Sequence, residues 1–247
     1  MAKVIDKDTY IHFGLTLNTK TTKQYITREN CVSGKRKKSS EFKINDELLE
    51  ESRVNYDYCM KYFNALSRLE FNNELNNAID TLIKENYIVE QVKDLKLYKK
   101  VKGIYIMVLE KYKQVYIGQT TNGIRQRVYR HWNSEESQIL DLHRDNEFGM
   151  LHINCFGALD TTKIYVIVLF NQREIDKLEK RLIKLFSSRF ILNGAKGGKP
   201  TSYDDFIENN ILFSIFFNQI KISEIDKERQ HKKEYEEQFK NGGNNEK

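Results

Sequence analysis

The chain has 247 residues, 39% of them hydrophobic, so it is long enough to bury a core as one domain with sizeable additions or as two small domains. Its 41 Lys and Arg residues outnumber 35 Asp and Glu residues, and the formal net charge of +6 favours a polyanionic partner. The first ten residues lack the apolar core of a signal peptide and no apolar run is long enough to span a membrane, so we expect neither; the three widely spaced cysteines suit neither a disulfide framework nor a zinc site. We therefore expect a soluble protein of the reducing cytoplasm.

An N-terminal extension, residues 1–98, precedes the most informative part of the chain. Apolar residues alternate over residues 10–17, and residues 24–27 are predicted to return across a turn as the second strand of a hairpin. Apolar side chains at three- and four-residue steps predict helices over residues 46–66 and 73–86. We expect this extension to be mainly helical.

A basic loop lies between this hairpin and the first helix. Four consecutive residues of the loop are cationic, namely Lys35, Arg36, Lys37 and Lys38. A solvated surface loop and an arm that binds phosphate groups are both typical of such a run. The composition of the loop alone leaves both interpretations open.

The residues that follow, 99–199, are predicted to form a unit that contains both strands and helices. Its predicted elements are strands at 103–109 and 115–119, a helix at 123–132, a strand at 163–170 and a helix at 171–186. The third strand is a continuous apolar run, which is typical of a central position in a sheet. Asn171 is placed to cap the last helix, and residues 200–247 predict further helices and a frayed tail.

Two tyrosines and a glycine come together if the first two strands of this unit pair as a hairpin. Antiparallel partners keep a constant sum of residue numbers, so pairing Glu110 with Lys113 places Tyr105 opposite Gly118. Tyr116 then lies on the same face of the sheet. Because a glycine in a strand leaves space beside it, this arrangement indicates a pocket that contains a phenol.

Four further side chains could join this pocket to make a phosphodiester-cleaving set. Arg127 and His131 lie four residues apart on the predicted helix and so project from one face, where they could stabilise a phosphorane and exchange a proton with the phenol. Glu179 lies among cations and could hold one Mg²⁺ ion. Asn193 could bind a phosphate or hold a neighbouring group in place. Each residue alone is typical of a packed or solvated surface, and only the combination indicates chemistry.

These residues resemble the signature of the GIY-YIG nuclease family, over about two-fifths of the chain. Gly103-Ile104-Tyr105 matches the first triplet of the family, and Tyr116-Ile117-Gly118 matches the second. The other positions of the family pattern are filled by Arg127, His131, Glu179 and Asn193. The resemblance implies an α+β fold with a small three-stranded antiparallel sheet flanked by helices.

The resemblance also implies metal-dependent cleavage of double-stranded DNA, with Mg²⁺ or Mn²⁺ held by Glu179. Tyr105 would act as a general base toward a water while His131 takes the phenolic proton. Arg127 would stabilise the transition state, and Tyr116 would orient the water or the phosphate. A free tyrosine ionises at about pH 10, so Tyr105 needs assistance from His131 and the nearby cations.

The central position of this unit favours a restriction endonuclease within the family. In such enzymes additions on both sides of the catalytic unit read sequence and join subunits, which implies a homodimer on a palindromic site and a methyltransferase encoded nearby. The extension 1–98 would then serve in DNA binding or dimerisation. A structure-specific or mobile-element (homing-type) nuclease and a DNA-binding protein without catalysis stay open as alternatives.

Further cations are candidates for contacts with DNA, and they lie on the helix after the second strand and in the late glycine-rich turn. They are Arg125, Arg130, Lys196 and Lys199. The turn at 194–200 resembles a phosphate-binding loop in its glycine and lysine content, but Pro200 occupies the position where Ser or Thr must follow the lysine. We therefore interpret it as a turn.

Overall fold

The architecture of the chain is α+β. A computed structural model describes residues 3–4, 9–18, 46–133 and 151–193. Within these residues lie seven strands in two antiparallel sheets and four α-helices. The predictions that fall outside them are the return strand at 24–27, the basic loop at 35–38 and every element after residue 193.

The smaller sheet has the strand order β1-β2-β3 and is built from β1 (Lys3–Val4), β2 (Thr9–His12) and β3 (Leu15–Asn18). The chain turns at Phe13 and Gly14, so the prediction of one continuous strand over residues 10–17 is wrong. Apolar alternation runs through the turn and conceals it, whereas Gly14 has φ 73°, which glycine adopts without strain.

This smaller sheet is attached to the rest of the molecule through two aromatic residues. His12 Nε2 donates a hydrogen bond to the Thr161 carbonyl at 2.8 Å. The Phe13 ring stacks on Trp132, with 6.0 Å between the ring centroids. The N-terminal extension therefore contains a packed sheet as well as the predicted helices.

Four helices lie within the described residues: α1 (Asp46–Ala65), α2 (Arg68–Lys84), α3 (Ile124–Trp132) and α4 (Gln172–Ile183). Helix α2 begins earlier than predicted because Ser67 caps it, accepting a hydrogen bond from the Glu70 amide at 3.3 Å. The predicted cap of α4 is confirmed, since Asn171 Oδ1 accepts hydrogen bonds from the amides of Arg173 and Glu174.

The larger sheet consists of β4 (Glu90–Gln91), β5 (Gly103–Leu109), β6 (Gln114–Thr120) and β7 (Lys163–Val168). Its strand order is β4-β7-β5-β6, and every neighbouring pair is antiparallel. The prediction of a three-stranded sheet is therefore wrong by one edge strand. Strand β4 has two exposed residues and is too short to show an apolar alternation in the sequence.

The register of this sheet matches the one expected from the sequence. Tyr105 pairs with Gly118, and Met107 pairs with Tyr116. Strand β7 pairs with the other side of β5, which confirms its interior position. The relative positions of the two signature triplets are thus set by backbone pairing.

One face of this sheet carries the hydrophobic core. Ile104, Ile106 and Val108 pack there against α2 and α4, in a cluster that includes the fully buried Phe71 and Leu82 of α2. Burying each such side chain stabilises the fold by roughly 1.5–3 kcal/mol. Because side chains alternate along a strand, the residues between these three project from the opposite face.

The described residues belong to one compact unit, Met1–Thr201. None of the described helices is long and apolar enough to cross a membrane. The cytoplasmic location and the divisions of the chain near residues 98 and 199 stay predictions.

Replacing Gly103 with Ala should lower the free energy of unfolding by about 1–3 kcal/mol. Gly103 has φ 141°, and a Cβ atom there would overlap the Ile167 carbonyl oxygen on the neighbouring strand. Urea unfolding followed by circular dichroism measures the change. An unchanged unfolding midpoint would contradict this explanation of the glycine.

Candidate active site

Tyr105 lies in the middle of β5 and is fully buried. Its ring covers the backbone of Gly118 on β6, because a Cβ atom on that glycine would overlap the phenol. The space left by Gly118 is therefore filled by Tyr105 itself, and no larger residue fits there. The glycine of the second triplet sets the position of the tyrosine of the first.

A chain of two hydrogen bonds leads away from the Tyr105 hydroxyl. Tyr105 Oη lies 2.8 Å from Nε2 of His131, which is 3% exposed near the end of α3. The other ring nitrogen, Nδ1, lies 2.7 Å from Oδ1 of Asn154. Because an amide oxygen only accepts, Nδ1 carries the proton, and Nε2 accepts the hydrogen bond from the phenol.

The surroundings of His131 keep its imidazole neutral. Burial lowers the pKa of His131 to about 4, with additional lowering from the charge of Arg127, while the hydrogen bond to Asn154 acts in the opposite direction. A neutral ring with a free lone pair on Nε2 is the form that can take a proton from Tyr105.

Arg127 connects the two tyrosines. Burial raises the pKa of Tyr105 well above its ordinary value and also raises the pKa of Tyr116. In both cases the charge and a hydrogen bond of Arg127 oppose this change, because a guanidinium favours the phenolate. The two rings lie 6.3 Å apart between centroids, and the charge of Arg127 acts on both hydroxyls.

Glu179 brings a buried carboxylate to the same place. It is 5% exposed, next to Leu178 of the core stripe of α4, and its charge raises the pKa of both Tyr105 and Tyr116. The two phenols and the carboxylate therefore share one site, although Glu179 comes from a different helix than Arg127.

The described residues contain no group of three or more His, Cys, Asp or Glu side chains that could hold a metal ion. A site that depends on several protein ligands, as for zinc, does not fit Glu179 and its neighbours. Mg²⁺ fits them better, because it keeps several waters and is commonly bound through one or two carboxylates together with substrate phosphates.

Asn193 holds the outer edge of β6. Its Oδ1 accepts a hydrogen bond from the Ile117 amide at 2.9 Å, and its Nδ2 donates one to the Ile117 carbonyl at 2.6 Å. Ile117 lies between Tyr116 and Gly118. Of the two roles considered from the sequence, this geometry favours holding a neighbouring group over contact with a phosphate.

The candidate DNA-contacting cations are distributed unequally. Arg130 is exposed on α3 and lines an open cleft beside Arg127, whereas Arg125 is half-buried and does not line that cleft. The remaining candidates lie outside the described residues, namely Lys35, Arg36, Lys37, Lys38, Lys196 and Lys199.

Asn154 was not among the residues that sequence patterns indicated. This residue lies in the short 3-10 helix Ile153–Cys155, within a polar stretch that shows no periodic pattern. The useful signal is chemical: a buried histidine that accepts a proton needs an acceptor on its other nitrogen, but the sequence does not say which residue supplies it.

Comparison with known proteins gave one match. Residues 101–193 match the family model of the GIY-YIG catalytic domain, which supports the GIY-YIG nuclease family and indicates a nuclease activity for this part of the chain. The matched segment includes Tyr105, Tyr116, Arg127, His131, Glu179 and Asn193. No curated protein and no solved structure matched the chain.

His131 should titrate with a pKa of about 4 and carry its neutral-state proton on Nδ1. NMR of the imidazole ¹⁵N resonances measures both properties. Asn154→Asp should raise this pKa, because a carboxylate stabilises the imidazolium. Because the folded-state pKa lies below the ordinary value of 6.5, His131 should also contribute to a loss of stability as the pH falls from 6.5 toward 4.

The matched control for this titration is Asn76→Asp, the same change on the exposed surface of α2. It should leave the His131 titration where it is in the wild-type protein. A His131 pKa near 6.5, or one that Asn154→Asp does not move, would contradict the assigned hydrogen bonds.

Proposed function

We propose that the chain, whose residues 101–193 match the GIY-YIG catalytic domain, is an endonuclease that hydrolyses phosphodiester bonds in double-stranded DNA with the help of Mg²⁺ or Mn²⁺. The observation that carries this proposal is the hydrogen-bonded chain Tyr105–His131–Asn154 beside a guanidinium and a buried carboxylate. These are the groups that hydrolysis of a phosphate diester requires: a proton acceptor, a cation and a metal ligand.

Tyr105 acts as the general base through His131. The hydroxyl oxygen accepts a proton from the attacking water while its own proton moves along the existing hydrogen bond to His131 Nε2. Since burial raises the pKa of Tyr105, a free phenolate would be rare at neutral pH, and the two transfers occur together. Asn154 keeps Nδ1 protonated, so that Nε2 is the nitrogen that accepts.

Arg127 and Tyr116 act on the phosphate. The guanidinium of Arg127 is close enough to both phenols for its charge to favour their ionised forms, and it can face the negative charge that develops on the phosphorane. Tyr116 shares the face of Tyr105 and orients the water or the phosphate. Asn193 is a positioning residue, because it fixes the backbone of β6 next to Tyr116 through Ile117.

Glu179 is the residue that would hold the metal ion. When bound, the ion would stabilise the negative charge on the leaving oxygen. Glu179 acts electrostatically on both phenols, and a single protein carboxylate suits an ion that retains most of its own waters.

Among nucleases, we propose a sequence-specific type II restriction endonuclease. The support is the order of the chain, in which the matched segment stands between an N-terminal extension with its own sheet and helices and about fifty further residues. Cleavage of both strands at one site calls for two active sites, and hence for a homodimer on a palindromic sequence. A methyltransferase that protects the same sequence would then be encoded nearby.

Incubation of supercoiled plasmid with the full chain and Mg²⁺ should give discrete bands. Tyr105→Phe and Glu179→Ala should each slow cleavage by at least about 100-fold, because one removes the proton relay and the other removes the metal ligand. DNA binding, measured by fluorescence anisotropy, should stay within a few-fold of the wild-type protein for both variants.

Two matched controls accompany these variants. Tyr112 lies in the β5–β6 turn, and Tyr112→Phe removes a hydroxyl that donates a hydrogen bond to Asp160 Oδ1. Glu174→Ala removes an exposed carboxylate from α4. Both should cut at near the wild-type rate. Near wild-type cutting by Tyr105→Phe or Glu179→Ala would overturn the assignment of these residues. If the wild-type protein cuts only branched DNA, a structure-specific role replaces restriction. If the wild-type protein cuts no DNA, it is a DNA-binding protein without catalysis.

A further inference from the structure

A cleft of about 340 Å³ adjoins the proposed active site. It lies between the β6–α3 connection, one face of α3 and the first residue of α4, Gln172. Arg127 lines the cleft, and its charge also lowers the pKa of both phenols, so the cleft opens onto the proposed position of the scissile phosphate. A group bound in the cleft would therefore lie next to the scissile phosphate of the substrate.

The chemistry of the cleft wall suits a nucleotide. Among the described residues, its side chains are two guanidiniums, four carboxamides and two hydroxyls, and none of these lining residues is acidic or apolar. The cations Arg127 and Arg130 lie three residues apart on one face of α3 and attract an anion. Carboxamides both donate and accept hydrogen bonds, as the edges of bases do, whereas a lipid or an apolar peptide would find no hydrophobic contact.

The wall is held in place before any ligand binds. Thr120 Oγ1 accepts hydrogen bonds from the amides of Asn122 and Gly123, both at 3.2 Å. A Cβ atom at position 123 would overlap the Lys99 carbonyl, so the chain passes close to the segment before β5 at this point. The Ile124 amide donates to the Val101 carbonyl at 3.0 Å, which fixes the beginning of α3.

Two carboxamides of the cleft, those of Gln119 and Gln172, are already engaged, and that of Gln126 is available. Gln119 Nε2 donates to Asp176 Oδ1 at 2.7 Å, and Gln119 Oε1 accepts from Gln172 Nε2 at 3.1 Å. In contrast, the exposed Gln126 carboxamide makes no hydrogen bond within the described part of the chain. Gln126 lies four residues before Arg130, so the two side chains project together from α3.

We propose that this cleft binds the nucleotide that flanks the scissile phosphate, with Arg130 on its backbone phosphate and Gln126 on the edge of its base. Arg130 positions the strand, and Gln126 contributes to sequence preference at one base pair next to the cut. This inference rests on the proposed function, since it takes DNA as the occupant. It assigns a phosphate contact to Arg130 and none to Arg125, which lies on the same helix but does not line the cleft.

The first experiment measures binding without cleavage. Full-length Glu179→Ala protein is titrated against a short fluorescein-labelled duplex of mixed sequence over a range of sodium chloride concentrations. Adding Arg130→Ala should lower the slope of log affinity against log salt by about 0.9, because one phosphate contact is lost. Arg130→Lys keeps the charge and should keep the slope, which guards against a loss caused by misfolding.

The matched control for charge is Lys84→Ala, at the end of α2, the helix that packs on the opposite face of the sheet from Tyr105. It should leave the slope unchanged. If Arg130→Ala behaves like Lys84→Ala, the inference is wrong.

The second experiment measures base preference. Wild-type protein, Gln126→Ala and the control Asn76→Ala are each given a library of randomised duplexes, and the cleaved products are sequenced. Gln126→Ala should relax preference by about tenfold at one position beside the cut, while Asn76→Ala should change nothing. An unchanged preference profile for Gln126→Ala would refute its contact with a base.

The outcomes distinguish this inference from the proposed function. If the wild-type protein cuts DNA and Arg130→Ala leaves the salt slope unchanged, the cleft assignment fails while the nuclease assignment stands. If the wild-type protein cuts no DNA but Arg130→Ala lowers the slope, the nuclease assignment fails while the cleft still binds a strand. If the protein does not bind DNA, both are wrong.

Discussion

The hydrogen bond from the Tyr105 hydroxyl to His131 Nε2 joins two residues from different elements, and the proposed chemistry depends on it. Tyr105 lies on β5, which is buried along its whole length, and His131 lies on α3, which follows β6 after a short connection. The pairing of Tyr105 with Gly118 lets the phenol ring lie over β6. A different register would put a side chain under that ring and separate the two partners.

Burial gives this pair its proton chemistry. Removal of water raises the pKa of Tyr105 and lowers that of His131, so both groups are neutral where they meet. A neutral donor and a neutral acceptor 2.8 Å apart can transfer a proton along an existing hydrogen bond, and Arg127 favours the phenolate that begins to form.

Local rules predicted the parts of this site that a few residues determine. The constant sum of residue numbers in a hairpin gave the partners of Tyr105 and Tyr116, and the preference of Asn for a helix start gave the cap at Asn171. Helical spacing placed Arg127 and His131 on one face. Each of these conclusions needs only residues that are close in the sequence or joined by one turn.

Features that depend on distant contacts could not be predicted in this way. Asn154 reaches His131 from a segment without periodicity, and β4 pairs with β7 through only two exposed residues. The turn at Gly14 was concealed because apolar alternation continues across it, and its left-handed backbone is not visible in a hydrophobic pattern. In each case the deciding partner lies far away in the chain or the signal lies in the backbone.

The most direct measurement of the central claim is the single-turnover rate of DNA cleavage by His131→Phe. Phenylalanine keeps a buried ring and removes both nitrogens, so the rate should fall at least about 100-fold below wild type, with DNA affinity unchanged within a few-fold. His12→Phe, the same substitution on the smaller sheet, should cleave at near the wild-type rate. A His131→Phe rate within a few-fold of wild type would contradict the claim that His131 takes the proton of Tyr105.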